Sequence, residues 1–224
     1  LTPIKRDARV LATRLIEQSS LLEKGEPSVY KLSTTEDNDK NRCCQRFIFG
    51  NNEEKHLNKV IVIFGATGSD TITVLNSMIN YVLGVEWEDN YRFKLVTEEK
   101  SCSQDTNKSL TVYEINYQAG LKILYNLTII CIPEIGEFST KVCAVGELKL
   151  KVQRDFLHTL QSIEKIDAFC IVVSAFYDHF TKTQGDFIHS IISKVEKPTA
   201  DNMVLLVTSA DALNKKRMHL ICRT

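Results

Sequence analysis

Apolar residues recur in two kinds of pattern along this chain. Near the N-terminus Ile4, Ala8, Leu11, Leu15 and Leu22 share one helical stripe, which predicts a helix over residues 1–24. Gln18 interrupts the stripe, and Gly25 followed by Pro27 stops the helix. The spacing also fits a coiled-coil seam, but docking on the chain's own domain is the expected use of so short a stripe. Residues 31–42 are polar and without period, as in a linker, and Arg46-Phe47-Ile48-Phe49 reads as a short strand.

From residue 59 the pattern changes. Residues 59–64 form a β-branched run without alternation, as expected of a strand buried on both faces. A helix follows over 71–83, with Val74, Leu75, Met78, Ile79 and Val82 inward. Residues 110–116 and 121–132 flank Tyr117-Gln118-Ala119-Gly120 and read as a β-hairpin. Helices are predicted over 146–164 and 181–195, and buried strands over 167–175 and 202–208. Strands alternating with helices predict an α/β domain with an open, mainly parallel sheet. The expected organisation is an N-terminal helix and polar linker over 1–58, then the α/β domain over 59–224, cut short at its C-terminus.

Composition narrows the classes. Hydrophobic residues make up 43% and charged residues 25%, so the chain is not disordered throughout. The 28 Lys and Arg balance 28 Asp and Glu, which removes the basic footprint of a nucleic-acid binder. No apolar run approaches the length of a membrane span. The seven cysteines are odd in number, lack any C-x-x-C, and in part sit within apolar runs such as Ile130-Cys131-Ile132. A reduced, cytoplasmic setting is the expectation.

Gly65-Ala66-Thr67-Gly68 joins the first buried strand to a helix, where backbone N–H groups and the helix dipole favour an anion. Read as a dinucleotide fingerprint, the loop lacks its third glycine, because Thr71 stands there, and no acidic ribose reader ends a second strand. Read as G-x-x-x-x-G-K-S/T, it aligns Gly65, then Ala66-Thr67-Gly68-Ser69, then Asp70, Thr71 and Ile72. Asp70 then replaces the last glycine, Thr71 the lysine and Ile72 the metal-binding hydroxyl. The loop alone leaves both readings open.

Its surroundings are more specific. Gly65-Ala66-Thr67-Gly68-Ser69 followed by Leu75-Asn76-Ser77-Met78-Ile79-Asn80-Tyr81 resembles the opening of septin-like and immunity-associated P-loop GTPases. Leu127-Thr128-Ile129-Ile130-Cys131-Ile132-Pro133-Glu134-Ile135-Gly136 is similar to that group's LTIVDTPGFG segment, and Leu205-Leu206-Val207-Thr208-Ser209-Ala210-Asp211 to its base-reading segment. The resemblance covers residues 59–211. It implies a GTPase-type α/β fold and GTP or GDP with Mg²⁺ at residues 65–73, the last of them Thr73, whose hydroxyl comes one position late. It also implies that Asp211 reads the guanine with Thr208 as its backbone-bracing partner; an N-cap role for Asp211 is the structural alternative.

The departures bear on the chemistry the family performs. Its lysine neutralises the β- and γ-phosphates and its hydroxyl holds Mg²⁺. Thr71 has no charge, Ile72 no ligand atom, and Asp70 brings an anion. One charge pair at ~5 Å and an effective dielectric of ~20 is worth roughly 3 kcal/mol. Cys131 stands for the family's metal-side aspartate and Glu134 for its phosphate-side glycine. Lys94, Lys100 and Lys108 are candidate replacements for the lysine, whereas Lys59 opens the first strand at the wrong end. The expectation is a domain that binds guanine nucleotide weakly or not at all, without Mg²⁺ or hydrolysis, and that acts through protein partners or self-association. A competent GTP switch with an atypical loop and a dinucleotide-binding domain are the alternatives.

Overall fold

The computed structural model describes residues 3–37, 44–51, 56–65, 69–96, 110–133, 142–175, 182–193 and 202–209. In chain order these form α1 (Pro3–Gln18), β1 (Ser20–Glu23), β2 (Ser28–Lys31), β3 (Thr35–Asp37), β4 (Gln45–Phe49) and β5 (Asn58–Gly65). There follow α2 (Thr71–Val82), β6 (Tyr91–Lys94), β7 (Thr111–Ile115), β8 (Asn126–Ile132), α3 (Val142–Leu160), β9 (Ala168–Ser174), α4 (Lys182–Ile192) and β10 (Met203–Thr208). The fold is α/β, built on a seven-stranded mixed sheet of order β10-β9-β5-β8-β7-β4-β3. The pairs β10–β9, β9–β5, β5–β8 and β4–β7 are parallel; β7–β8 and β3–β4 are antiparallel. A second sheet, β1-β2-β6, stands beside it.

Strand β5 explains the unalternated run of β-branched residues. Ile61 and Ile63 face the cluster shared with α1 and α2, while Val60, Val62 and Phe64 face the one shared with α3 and α4. Both faces of the strand are apolar because both are covered. Strand β8 divides in the same way, with Leu127 and Ile129 to the first cluster and Ile130 and Ile132 to the second. Helix α2 buries Leu75, Ile79 and Val82, and the expected inward residues Val74 and Met78 are partly buried.

Three local expectations change. The predicted helix over 1–24 ends at Gln18, where the Ser33 hydroxyl donates to the Gln18 carbonyl at 2.6 Å. Leu22 then leaves the stripe and, with Leu21, lies exposed on β1, because pairing with β2 overrides helical spacing there. The predicted linker over 31–42 contains β3, whose backbone pairs along β4; an edge strand needs no apolar face to do so. The hairpin of β7 and β8 is confirmed, with Ile115 opposite Leu127, but its connection is longer than the four residues the sequence suggests. Residues 38–42 of the predicted linker lie outside the described residues.

The stripe of α1 docks on the chain's own core. Leu11, Ala12 and Leu15 are buried, and Leu11 and Leu15 join the cluster of Leu75, Ile79 and Val82. Gly120, at φ 100°, lies so close beneath α1 that a Cβ would sit 2.7 Å from the Asp7 carbonyl oxygen. Arg14 donates to Gln118 at 2.8 Å across the same contact. Among the described residues no helix is long and apolar enough to cross a membrane. Because Leu11 is 1% exposed and its neighbour Val10 is 65% exposed, Leu11→Ala is expected to lower stability by about 2–5 kcal/mol and Val10→Ala by under about 0.5 kcal/mol. Urea midpoints of the two variants check this.

Candidate functional site

Strands β5, β8, β9 and β10 run parallel, so their C-terminal ends share one edge of the sheet. Strand β5 lies between β8 and β9, so later strands add on both of its sides, and such a switch point is where open α/β sheets bind ligands. The glycine loop leaves this edge from β5, Cys131 lies next to the end of β8, and Thr208 ends β10. Register places Phe64 beside Ile132, Gly65 beside Val172 and Thr208 beside Ser174. Three segments remote in sequence therefore converge.

Between β5 and α2 the backbone turns through Asp70, which has φ 55° and ψ 45°. That left-handed conformation favours glycine; Asp is among the few other residues that adopt it readily. A capping aspartate has extended backbone and accepts from the first helical amides. Asp70 does not have that backbone, and its side chain makes no cap hydrogen bond and lies exposed. Its carbonyl still accepts from the Val74 amide at 3.3 Å, which starts the helix.

Next to it Ser69 is fully buried, and its hydroxyl shares a 3.0 Å hydrogen bond with that of Thr71. The Thr208 hydroxyl donates to the Ser69 carbonyl at 2.9 Å, with the Val173 carbonyl at 3.2 Å sharing the proton. The end of β10 thus braces the loop after β5, two strands away. Gly65 permits this packing, since a Cβ there would fall on Thr71 Oγ1 and 2.7 Å from Ser69 Oγ. Ile72 is half-buried and Thr73 exposed on the first turn of α2.

Among the described residues the charge inventory is poor for an anion. Lys94 pairs with Glu23 at 3.0 Å on the second sheet. Lys59 pairs with Asp167 at 2.8 Å, at the opposite end of β5 from the loop. Burial pushes the Cys131 thiol well above its ordinary range, so it stays neutral and supplies no metal-side charge. Among the described residues no group of three or more His, Cys, Asp and Glu is placed to hold a metal. Ala66, Thr67, Gly68, Lys100, Lys108, Glu134 and Asp211 lie outside the described residues.

Two residues quoted only for their resemblance have a structural task. On α2, Asn76 Oδ1 accepts from the Leu95 and Val96 amides at 2.9 and 3.1 Å, and Asn80 Oδ1 accepts from the Phe93 amide at 2.9 Å. The sign in the sequence was a pair of amides four apart in the helix, a spacing that puts both on one face.

The loop contact yields a coupled prediction. Gly65→Ala should cost about 1–3 kcal/mol through overpacking. Part of that cost should vanish when Thr71→Ala is combined with it, since the closest atom, the Thr71 hydroxyl, is removed while Ser69 Oγ stays in the way. A double-mutant cycle from urea unfolding measures this; strict additivity would show that the two residues do not meet.

No family model matches the chain, and no curated protein matches it at a significant level.

Proposed function

We propose that this chain is a degenerate GTPase-like domain of the septin-like and immunity-associated kind, which does not turn over GTP and acts through protein contacts. The observation that carries the reading is the left-handed backbone at Asp70, the position where the loop alignment puts a glycine. The bend persists although the side chain there is a carboxylate. The hydrogen bond from Thr208 to the Ser69 carbonyl supports it further, because the resemblance expects a brace from that residue. The sheet order, with the loop leaving the central strand at the switch point, agrees with a P-loop arrangement.

The residues present do not fit Mg²⁺ and a triphosphate. Phosphoryl transfer needs positive charge on the β- and γ-phosphates and a metal held by oxygen ligands. Here Thr71 is neutral, Ile72 has no ligand atom, Cys131 is an uncharged thiol and Asp70 is an exposed acid. Ser69, just before α2, is held instead by the protein's own hydroxyls, those of Thr71 and Thr208. Exposed Met203, Val204 and Leu205 on β10, at the end of the described sheet, agree with a role in protein contacts. A cytoplasmic location belongs to the same reading.

Two outcomes test it. GTP turnover is expected to stay at the buffer rate in single-turnover assays with Mg²⁺; hydrolysis that requires the metal and disappears in Asp211→Ala would point to a working switch. The triple change Asp70→Gly, Thr71→Lys, Ile72→Ser should restore binding of a fluorescent guanine nucleotide, competed by pyrophosphate. Adding Cys131→Asp and Glu134→Gly should make that binding depend on Mg²⁺. A folded revertant that ignores guanine nucleotide, or prefers NADPH, would remove the GTPase assignment.

A further inference from the structure

Among the described residues strand β6 has no β-strand neighbour on one side, and side chains of α2 take that place. Beyond the amides already described, Asn80 Nδ2 donates to the Phe93 carbonyl at 2.7 Å and Asn76 Nδ2 to the Val96 carbonyl at 3.0 Å. Helix α2 thus performs with two side-chain amides what a strand would do with its main chain. On its other side β6 is held by the N-terminal hairpin. The Ser28 amide donates to the Asn90 carbonyl at 2.8 Å and the Leu32 amide to the Lys94 carbonyl at 3.0 Å, over a parallel register from Ser28–Tyr91 to Lys31–Lys94. Glu23 pairs with Lys94, and the rings of Tyr30 and Phe93 pack with centroids 6.2 Å apart.

We propose that β6 couples the β1–β2 hairpin to α2, so that a partner drawing the hairpin away loosens the helix that opens at Asp70. The argument is geometric. Neither holder leaves β6 a second place to rest, because the backbone of residues 90–96 is divided between them: the Asn90 and Lys94 carbonyls accept from the hairpin, and the Phe93, Leu95 and Val96 amides donate to α2. Phe93 is almost fully buried between the two, so a shift toward or away from either holder opens a gap at the other. The coupling stands on these contacts and holds whatever ligand the site takes. It gives the exposed hairpin, far from the glycine loop in sequence, a route to the residues that shape that loop.

Amide hydrogen exchange on the full chain tests the coupling in both directions. Ser28→Pro removes the amide bonded to Asn90 and the hydroxyl that closes the hairpin turn on the Gly25 carbonyl at 2.8 Å. The amides to watch are Phe93, Leu95 and Val96, whose acceptors belong to α2 and not to the hairpin. They should exchange at least about tenfold faster, while β5 and β8 keep their protection. In reverse, Asn80→Ala should speed exchange at Ser28 and Leu32, whose acceptors it does not touch. If each variant affects only amides on its own side, β6 is not a coupler and the proposal falls. Should Ser28→Pro disturb the large sheet, Asn80→Ala decides alone.

Discussion

The parallel pairing of β5 with β8 on one side and β9 on the other is the contact on which the rest of the molecule depends. A strand covered on both faces and paired on both edges can neither slide nor turn over without exposing apolar side chains. Val62 and Ile63 have no measurable exposure, and they face opposite layers. Once β5 is held, the point where the backbone leaves it is held too, and Gly65 must then pass under Thr71. The start of α2 and the contact of Ser69 with Thr208 follow from that fixed exit.

Much of this frame was legible in the residues, for physical reasons that can be named. Unalternated runs at 59–64 and 167–175 mark strands buried on both faces, and the β5 and β9 they predict are present with ends shifted by a residue. The run at 202–208 also forms a strand, but β10 is not the buried strand expected: among the described residues it pairs with β9 on one side only, and Met203, Val204 and Leu205 lie exposed. The apolar stripe of α1 marked a helix in need of cover, and it found the cluster around Leu75 and Ile79. The N-terminal strands were not legible. Ser20-Leu21-Leu22-Glu23 and Thr35-Glu36-Asp37 carry no alternation, and they are strands because of the neighbours they meet. Backbone pairing at an edge leaves no signature in hydropathy.

The candidate site divides along the same line. Position in the fold was readable, since a glycine loop between strand and helix has one place in an α/β sheet. Conformation was not: nothing in the letters Ser69-Asp70-Thr71 states that Asp70 takes a left-handed backbone, or that Ser69 is buried with its carbonyl tied to Thr208. Those are tertiary facts. The task of Asn76 and Asn80 escaped for a similar reason, since an amide in a helix usually faces solvent and only the arrival of β6 gives it partners.

Asn80 also defines a chemical weak point. Its side chain donates to the carbonyls of Asn76 and Phe93 and accepts from the Phe93 amide, so both ends of the amide are in use. Aspartate retains only the accepting end, and its second oxygen would face two carbonyl oxygens at hydrogen-bond distance. Hydrolysis of this one side-chain amide to aspartate, with water consumed and ammonia released, would therefore turn two attractive contacts into repulsive ones. The damage would fall on β6, where the Phe93 carbonyl would lose its donor and meet a negative charge instead.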